Sequence, residues 1–352
     1  MFNLSSRKII GLFVIIVLLI LPRVLTHPYL QTVLIIALYF SYLSLCWNLV
    51  FGYAGQFSLC HQVFLGVGAY TSTMLALKLG VTPWIGMFIG GIFATFFALF
   101  ISFASFRYGI YGFFFAVITL TFAEVIHTLA LKWEFINGGV GLFIPVKDSA
   151  IDYAFLSRVP FYYIILGMVL SAMLITFLIS RSKLGYYLVA IREDEDAAMA
   201  LGVNAALCKT LVMAISAFLT ALAGTFYAQF FLYINPDVVI NISVVIQMLF
   251  GTLVGGAGTI LGPVVGAAGF SLLGEVLRSL PFGVRDAAAV SLILYGAILM
   301  LVVMFLPEGI IKLPERIGIQ YWFRRRPNLT SFNAPDRSQI GKKGANPSKE
   351  SS

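Results

Sequence analysis

Ten runs of apolar residues account for most of the chain, and most of them are long enough to cross a membrane as a helix. At about 1.5 Å of rise per residue, roughly 20 apolar residues span the hydrocarbon core of a bilayer. The sequence therefore predicts an all-α integral membrane protein, a polytopic bundle of about 8–10 transmembrane helices in which some helices are short or broken. The candidate spans are residues 9–25, 30–51, 63–79, 84–106, 110–131, 161–180, 207–231, 242–253, 261–277 and 287–306.

The composition agrees with lipid as the main solvent and excludes several classes of function. Only 11% of the residues are charged, compared with about 25% in soluble domains. The three cysteines form no CxxC pair, so neither a disulfide framework nor a metal site is predicted. The sequence contains no P-loop, HExxH or GxSxG motif, and we therefore expect no ATP hydrolysis and no catalytic residue in this chain. The net charge of +8 does not form a basic face, which argues against nucleic-acid binding.

The distribution of Lys and Arg predicts the orientation, because basic residues accumulate in cytoplasmic loops. With ten spans and an inside N-terminus, most of the 23 basic residues fall on the cytoplasmic side, so both termini are predicted to be cytoplasmic. Residues 1–320 are predicted to form the transmembrane domain, which includes a cytoplasmic loop at 182–207. Residues 321–352 are basic and rich in Ser, Asn and Pro, a composition that predicts a disordered cytoplasmic tail.

The predicted cytoplasmic loop contains four consecutive acids, residues 193–196, followed by the good helix formers 197–201. We predict a short helix whose acids stabilise its positive N-terminus and whose C-terminus is capped by Gly202 in the left-handed conformation. Ala198 and Leu201, three residues apart, would form a small apolar contact face. Such a face suits insertion into a groove on another protein, although an ordinary solvated connector between two spans is an equal alternative.

Two Gly-rich stretches, residues 52–68 and 251–266, interrupt the apolar pattern. Glycines four residues apart let helix backbones approach closely, so tight packing is one interpretation. The other is an interrupted helix whose backbone and polar side chains line a transport path. The candidate path residues in these stretches are Gln56, Ser58, His61, Gly255, Gly256 and Gly258.

Glu124 is a further candidate for the translocation path, because ionisable residues inside membrane spans are often functional. It lies three residues before His127 and therefore on the same face of a helix. The alternative is a structural ion pair near the outer end of the span. A proton relay would need carboxylates nearer the midplane, which argues against a proton-coupled carrier.

Several of these stretches, taken in order along the chain, resemble the second permease subunit of ATP-binding cassette (ABC) importers for branched-chain amino acids. The segment GYAGQFSLCH at 52–61 is similar to the family signature GYxGQxSLGH, although Cys60 stands where Gly is common. Urea and short-chain amide permeases share these signatures, so the substrate stays open. The other matching stretches are ITLTFAEVI (118–126), NGGVGL (137–142), SKLGYYLVAIREDEDAAMALGVN (182–204), INPDVVINISVVIQMLFGTLVGGAGTILGPVVGAA (234–268), GEVLR (274–278) and FLPEGI (305–310).

The resemblance implies that the acidic loop is the coupling helix of the importer, which transmits movement from separate ATPase subunits. It implies a bacterial inner-membrane complex of this chain with a second, different permease subunit, two ATP-binding subunits and an extracytoplasmic substrate-binding protein. ATP and Mg²⁺ would be bound by the partner ATPases, and this chain would carry no cofactor. The implied coupling residues are Arg192, Glu193, Asp194, Glu195, Asp196, Ala197, Ala198, Leu201 and Gly202.

The function implied by the resemblance is translocation of branched-chain amino acids by alternating access, driven by the partner ATPases. A urea or short-chain amide permease of the same family is the alternative. An ion-coupled secondary transporter that works alone is a more distant one.

Overall fold

The computed structural model describes residues 17–23, 27–110, 112–145, 153, 155, 157–279, 296–297, 300 and 309–312. These residues all belong to one compact unit, Phe2–Leu313. Most of the predicted spans at 9–25 and 287–306, and the whole predicted tail at 321–352, lie outside the described residues.

The described chain is almost entirely helical. A π-helical turn, Leu49–Tyr53, continues the first helix, and one small antiparallel sheet pairs β1 (Leu142–Phe143) with β2 (Tyr233–Ile234). The helices are α1 (Pro28–Asn48), α2 (His61–Leu79), α3 (Pro83–Arg107), α4 (Phe113–Lys132), α5 (Arg158–Arg181), α6 (Lys183–Glu193), α7 (Glu195–Ala200), α8 (Ala205–Phe231), α9 (Pro236–Val239), α10 (Ile242–Gly255) and α11 (Gly262–Ser279). Short 3₁₀ turns occur at Glu134–Ile136, Gly138–Val140 and Ile310–Lys312.

Six helical stretches of the described chain are long and apolar enough to cross a membrane: Pro28–Tyr53, Pro83–Arg107, Phe113–Lys132, Arg158–Arg181, Ala205–Phe231 and Pro236–Gly255. Helices α2 and α11, of 19 and 18 residues, occupy the positions of two further predicted spans. The prediction of an all-α, polytopic membrane protein is confirmed. The span predicted as short, 242–253, is extended to 20 residues because α9 precedes α10 directly.

The helix starts follow from local side-chain chemistry. Pro occupies the first turn of α1, α3 and α9, where a backbone N–H has no intrahelical partner to lose. Ser157, Ser182 and Asn204 cap α5, α6 and α8 by accepting a hydrogen bond from a backbone N–H two or three residues further on. These caps satisfy donors that lipid could not.

The most extensive helix packing joins α2, α3 and α8, and glycines make it possible. A Cβ on Gly68 of α2 would lie 2.7 Å from the Cα of Ala221 in α8, and one on Gly224 of α8 would lie 2.7 Å from the backbone N of Ala69 in α2. A Cβ on Gly90 of α3 would lie 3.1 Å from the Cα of Gly68. Because lipid supplies no hydrophobic drive between helices, this close backbone contact is what holds the three together.

Helices α10 and α11 also pack through glycines, as their four-residue spacing predicted. A Cβ on Gly266 of α11 would collide with the backbone of Gly251 and Gly255 in α10, and one on Gly255 would collide with the carbonyl of Gly262. Helix α11 lies against α1 as well, and the opposite neighbour of α1 is α5. The packing interpretation of the second Gly-rich stretch is therefore confirmed for these four glycines.

We predict that Gly68→Ala lowers the thermal stability of the protein, whereas Gly167→Ala raises it. An Ala in a helix is ordinarily about 1 kcal/mol more favourable than a Gly, and the Cβ at Gly167 in α5 meets no atom within 4 Å. The Cβ at Gly68 overlaps backbone rather than a flexible side chain, which costs about 1–3 kcal/mol. Thermal unfolding of both detergent-purified variants measures the difference, and a higher Tm for Gly68→Ala would contradict the packing.

Candidate functional site

Residues 182–207 form two consecutive helices, α6 and α7, rather than the one short helix that was predicted. Helix α6 ends where Asp194 adopts an extended backbone, with φ −157°. Asp194 then caps α7, because its Oδ1 accepts a hydrogen bond from the N–H of Ala197 at 3.0 Å. Glu195 and Asp196 lie in the first turn of α7, so the predicted placement of acids at the positive end of this helix is confirmed.

The C-terminus of α7 ends at Gly202, as predicted. Gly202 has φ +88°, its N–H donates to the carbonyl of Met199 at 2.9 Å, and the N–H of Val203 donates to the carbonyl of Ala198 at 3.1 Å. This pair of bonds is a Schellman motif, in which glycine is favoured because it has no Cβ. A Cβ at Gly202 would meet no atom within 4 Å, so the requirement for glycine comes from the backbone conformation.

The predicted contact face of Ala198 with Leu201 is wrong. Ala198 is only 4% exposed, because α7 packs this side chain inward, whereas Leu201 is 87% exposed. The apolar side chain that accompanies Leu201 on the surface is Met199, which is 47% exposed. The prediction assumed one continuous helix, but Leu201 lies in the cap beyond the last turn of α7.

A buried ion pair fastens α7 to α8. Lys209 in the first turns of α8 is 1% exposed, and its Nζ donates to Oε2 of Glu195 at 2.6 Å. The ammonium also lies 5.4 Å from the ring centroid of Phe106 at the end of α3. Because an unpaired buried ammonium is very unfavourable, Lys209 holds Glu195 in place. These residues and Asp196, Met199 and Ile110 line a cavity of about 190 Å³.

Arg192, at the end of α6, reaches into the bundle. Its Nη1 donates to the carbonyl oxygen of Gly52 at 2.6 Å, and its Nη2 donates to Oε1 of Glu193 at 2.8 Å. A Cβ on Gly258 would lie 2.9 Å from the same Nη1, and a Cβ on Gly55 would lie 2.9 Å from Cγ of Arg192. The end of α6 is thus in direct contact with both Gly-rich stretches, a contact that sequence spacing could not reveal.

Asn48, the last residue of α1, joins the two Gly-rich stretches to each other. This fully buried side chain accepts a hydrogen bond from the N–H of Gly258 and donates one to the carbonyl of Thr259, both at 2.9 Å. Gly256 and Gly258 have φ +118° and +74°, so the helical conformation ends after α10 and begins again only at α11. The two Gly-rich stretches thus form the junctions between α1 and α2 and between α10 and α11, and these junctions lie side by side.

Ser58 and His61 form a buried chain of hydrogen bonds with Ser216 of α8. Ser216 donates its hydroxyl to the carbonyl of Cys46 at 2.6 Å, so it accepts from Nε2 of His61 at 2.9 Å. The other ring nitrogen, Nδ1, then accepts from Oγ of Ser58 at 3.3 Å. For these two residues every side-chain polar atom is bonded, which favours the packing interpretation over a role in the path.

Two glutamines of the same stretch are less well satisfied. Gln56 donates to the carbonyl of Ala54 at 3.3 Å, but among the described residues its Oε1 has no donor, and neither amide atom of the fully buried Gln62 has a partner there. Unpaired buried amides are costly, so they mark places where water or a ligand would be favourable. Gln56 thus remains a candidate for the path, and Gln62 joins it.

Glu124 lies on a separate, outward-facing surface of α4. Its side chain is 54% exposed, and Thr121 and Thr128 are exposed on the same helix face. His127 lies 3.8 Å from Glu124 through Nδ1, and its Nε2 lies 3.1 Å from Oδ1 of Asp237 in α9. The predicted pairing of Glu124 with His127 is present, and Asp237 is a partner that the sequence did not indicate.

Comparison with known proteins identifies the family to which the chain belongs. The profile of the family described as branched-chain amino acid transport system, permease component, matches residues 29–303. Two relatives carry the description high-affinity branched-chain amino acid transport system permease protein LivM. The one from Escherichia coli (strain K12) is 26% identical over 296 residues, and the one from Salmonella typhimurium is 27% identical over 301 residues. Each match covers 77% of this chain and 67% of the relative.

No solved structure matches the chain. The profile, however, covers well over half of the sequence and includes both Gly-rich stretches, α4 and α7. The chain therefore belongs to the family of permease components of branched-chain amino acid transport systems.

Proposed function

We propose that this chain is the membrane-spanning permease subunit of an ABC importer that carries branched-chain amino acids across the bacterial inner membrane. The observation that carries the proposal is helix α7: a capped, acidic helix in the family's permease domain, fastened to the bundle yet displaying bare apolar side chains. The relatives named as LivM support the substrate class.

Helix α7 has the features of a docking element for an ATPase. Lys209 and the buried Ala198 fix it to the bundle, so a force on α7 is passed on to α8. Met199 and Leu201 project from it, and such exposed apolar side chains suit a groove on a partner. The positive-inside bias of the sequence supports a cytoplasmic position for this end and for both termini.

The partners follow from the same orientation. Two ATP-binding subunits would contact the end of the bundle that carries α7, and they would bind ATP and Mg²⁺. The opposite end, with β1, β2 and the 3₁₀ turns between α4 and β1, would receive a substrate-binding protein from outside. A second, different permease chain would complete the membrane part. Alternating access would then arise when nucleotide-driven closure of the ATPases moves α7 and rocks the spans.

The polar stripe of α4, formed by Thr121, Glu124 and Thr128, supports a path at the interface between two permease chains. Glu124 lies eight residues before the end of α4, which is about 12 Å of helix. An ionisable side chain at such depth is costly against lipid, whereas protein or water accommodates it. A carboxylate there would attract the ammonium group of an amino acid passing between the chains.

The first prediction from the proposed function is that Gly202→Asp abolishes uptake by the assembled transporter. A residue with a Cβ at φ +88° is strained by about 1–2 kcal/mol, which disturbs the cap beside Leu201. Gly80→Asp is the matched control, because Gly80 also ends a helix in the left-handed conformation, at φ +65°, with open space around it. Uptake and stimulated ATP hydrolysis in proteoliposomes measure the effect, and normal uptake by Gly202→Asp would argue against coupling through α7.

The second prediction concerns the energy source and the substrate. Reconstituted alone with a proton or sodium gradient, the chain should take up no amino acid, since the driving force comes from its partners. With the partner subunits, the binding protein and ATP, radiolabelled leucine should accumulate and be displaced by isoleucine and valine. Uptake by the chain alone would favour a secondary transporter, and displacement by urea rather than valine would favour the urea or amide permease.

The third prediction is that Glu124→Gln reduces leucine uptake by about tenfold or more, because a hydrogen bond to a charged group is lost. ATP hydrolysis and assembly should be unchanged. Glu275→Gln, at an acid of α11 that accepts a hydrogen bond from the hydroxyl of Tyr29, is the control and should transport normally. Equal uptake by both variants would remove Glu124 from the proposed path.

A further inference from the structure

Arg192 occupies a position that docking of an ATPase does not explain. Leu201 and Met199 are exposed and make no such contact, whereas the partly exposed guanidinium of Arg192 donates to the carbonyl oxygen of Gly52 at 2.6 Å. Among the described residues of α6, Arg192 makes the side-chain hydrogen bond that joins this helix to the segment after α1. The question is what a charged link between these segments achieves.

The carbonyl of Gly52 lies where α1 and its π-helical turn end, at Tyr53. The last carbonyls of a helix have no intrahelical donor and carry the negative end of the helix dipole. A guanidinium is well suited to this position, because it remains charged and donates in fixed directions. Arg192 therefore caps the C-terminal end of the helix that runs from Pro28 to Tyr53.

The second interruption meets the same guanidinium. A Cβ on Gly258 would lie 2.9 Å from both Nη1 of Arg192 and the carbonyl oxygen of Gly52, so the backbone at Gly258 packs directly against their hydrogen bond. Asn48 holds Gly258 and Thr259 in this position through two hydrogen bonds. Movement of Arg192 would therefore disturb both helix breaks together.

We propose that Arg192 is a positioning residue that transmits the movement of α7 to the junctions that follow α1 and α10, and so couples ATP-driven closure to opening of the path. This inference rests on the proposed importer function. Helix α7 is held to the bundle by two contacts: the ion pair of Lys209 in α8, and the hydrogen bond of Arg192 at the end of α6. The Arg192 contact lies at the junctions that follow α1 and α10. A break is where a helix bends most easily, because no continuous hydrogen-bond ladder resists the motion.

The test uses the complete complex in proteoliposomes with Arg192→Ala. Uptake should fall about tenfold or more, as a charged hydrogen bond is lost, while assembly and ATP hydrolysis are retained. Arg192→Lys, which keeps one donor and the charge, should restore part of the uptake. Arg181→Ala is the matched control, since Arg181 is a cation at the end of α5 that lies 5.0 Å from the ring of Phe177, and it should transport normally.

A second variant leaves the charge intact. Gly258→Ala places a methyl group against the Arg192 hydrogen bond and should uncouple in the same way, whereas Gly80→Ala, also at a left-handed glycine but with open space around it, should not. Normal uptake by both Arg192→Ala and Gly258→Ala would overturn the inference. So would loss of ATPase assembly in Arg192→Ala without rescue by Arg192→Lys, because Arg192 would then belong to the docking surface.

Hydrogen–deuterium exchange, measured with and without a non-hydrolysable ATP analogue, separates this inference from the proposed function. In the wild-type complex the analogue should change exchange at 195–201, at 49–57 and at 256–260. In Arg192→Ala the change at 195–201 should persist and the other two should disappear. Persistence of all three would overturn the inference alone. Absence of a response at 195–201 in the wild type would overturn the proposed function together with it.

Discussion

A backbone carbonyl or N–H without a partner is costly in hydrocarbon, and this requirement governs the arrangement around the two helix breaks. Asn48 supplies both a donor and an acceptor to the chain at Gly258 and Thr259, and Arg192 supplies a donor to Gly52. The broken helices are therefore stable only while a buried amide and a guanidinium remain in place. An interruption that depends on a side chain from another segment can respond when that segment moves.

The glycines around these breaks have a different physical role from those in the helix crossings. Gly68, Gly224 and Gly266 are required by contact, since a Cβ would overlap the backbone of a neighbouring helix. Gly202 is required by conformation, since its surroundings are open and its φ is positive. Gly258 combines both requirements. Glycine thus permits tight helix packing at some positions and caps α7 at another. Only the structure shows which of these roles each glycine has.

Apolar runs of spanning length were sufficient to predict the helical membrane architecture, because hydropathy reports directly on contact with lipid. The acids and Gly202 likewise predicted the ends of α7, since capping is local. The inward orientation of Ala198, the ion pair of Lys209 with Glu195 and the reach of Arg192 to Gly52 could not be predicted. These depend on which segments are neighbours in space, and the last of them joins residues 140 positions apart.

The polar residues of the membrane region fall into two environments with different consequences. Ser58 and His61 are buried and fully bonded within the chain, so they stabilise its core. The stripe containing Glu124 lies on α4, the least buried of the six span-length helices described. A carboxylate presented outward at this depth is favourable only if protein or water lies opposite. In the proposed transporter, α4 of this chain would therefore form one wall of the path and a second permease chain the other, so that rocking between the two would open and close it.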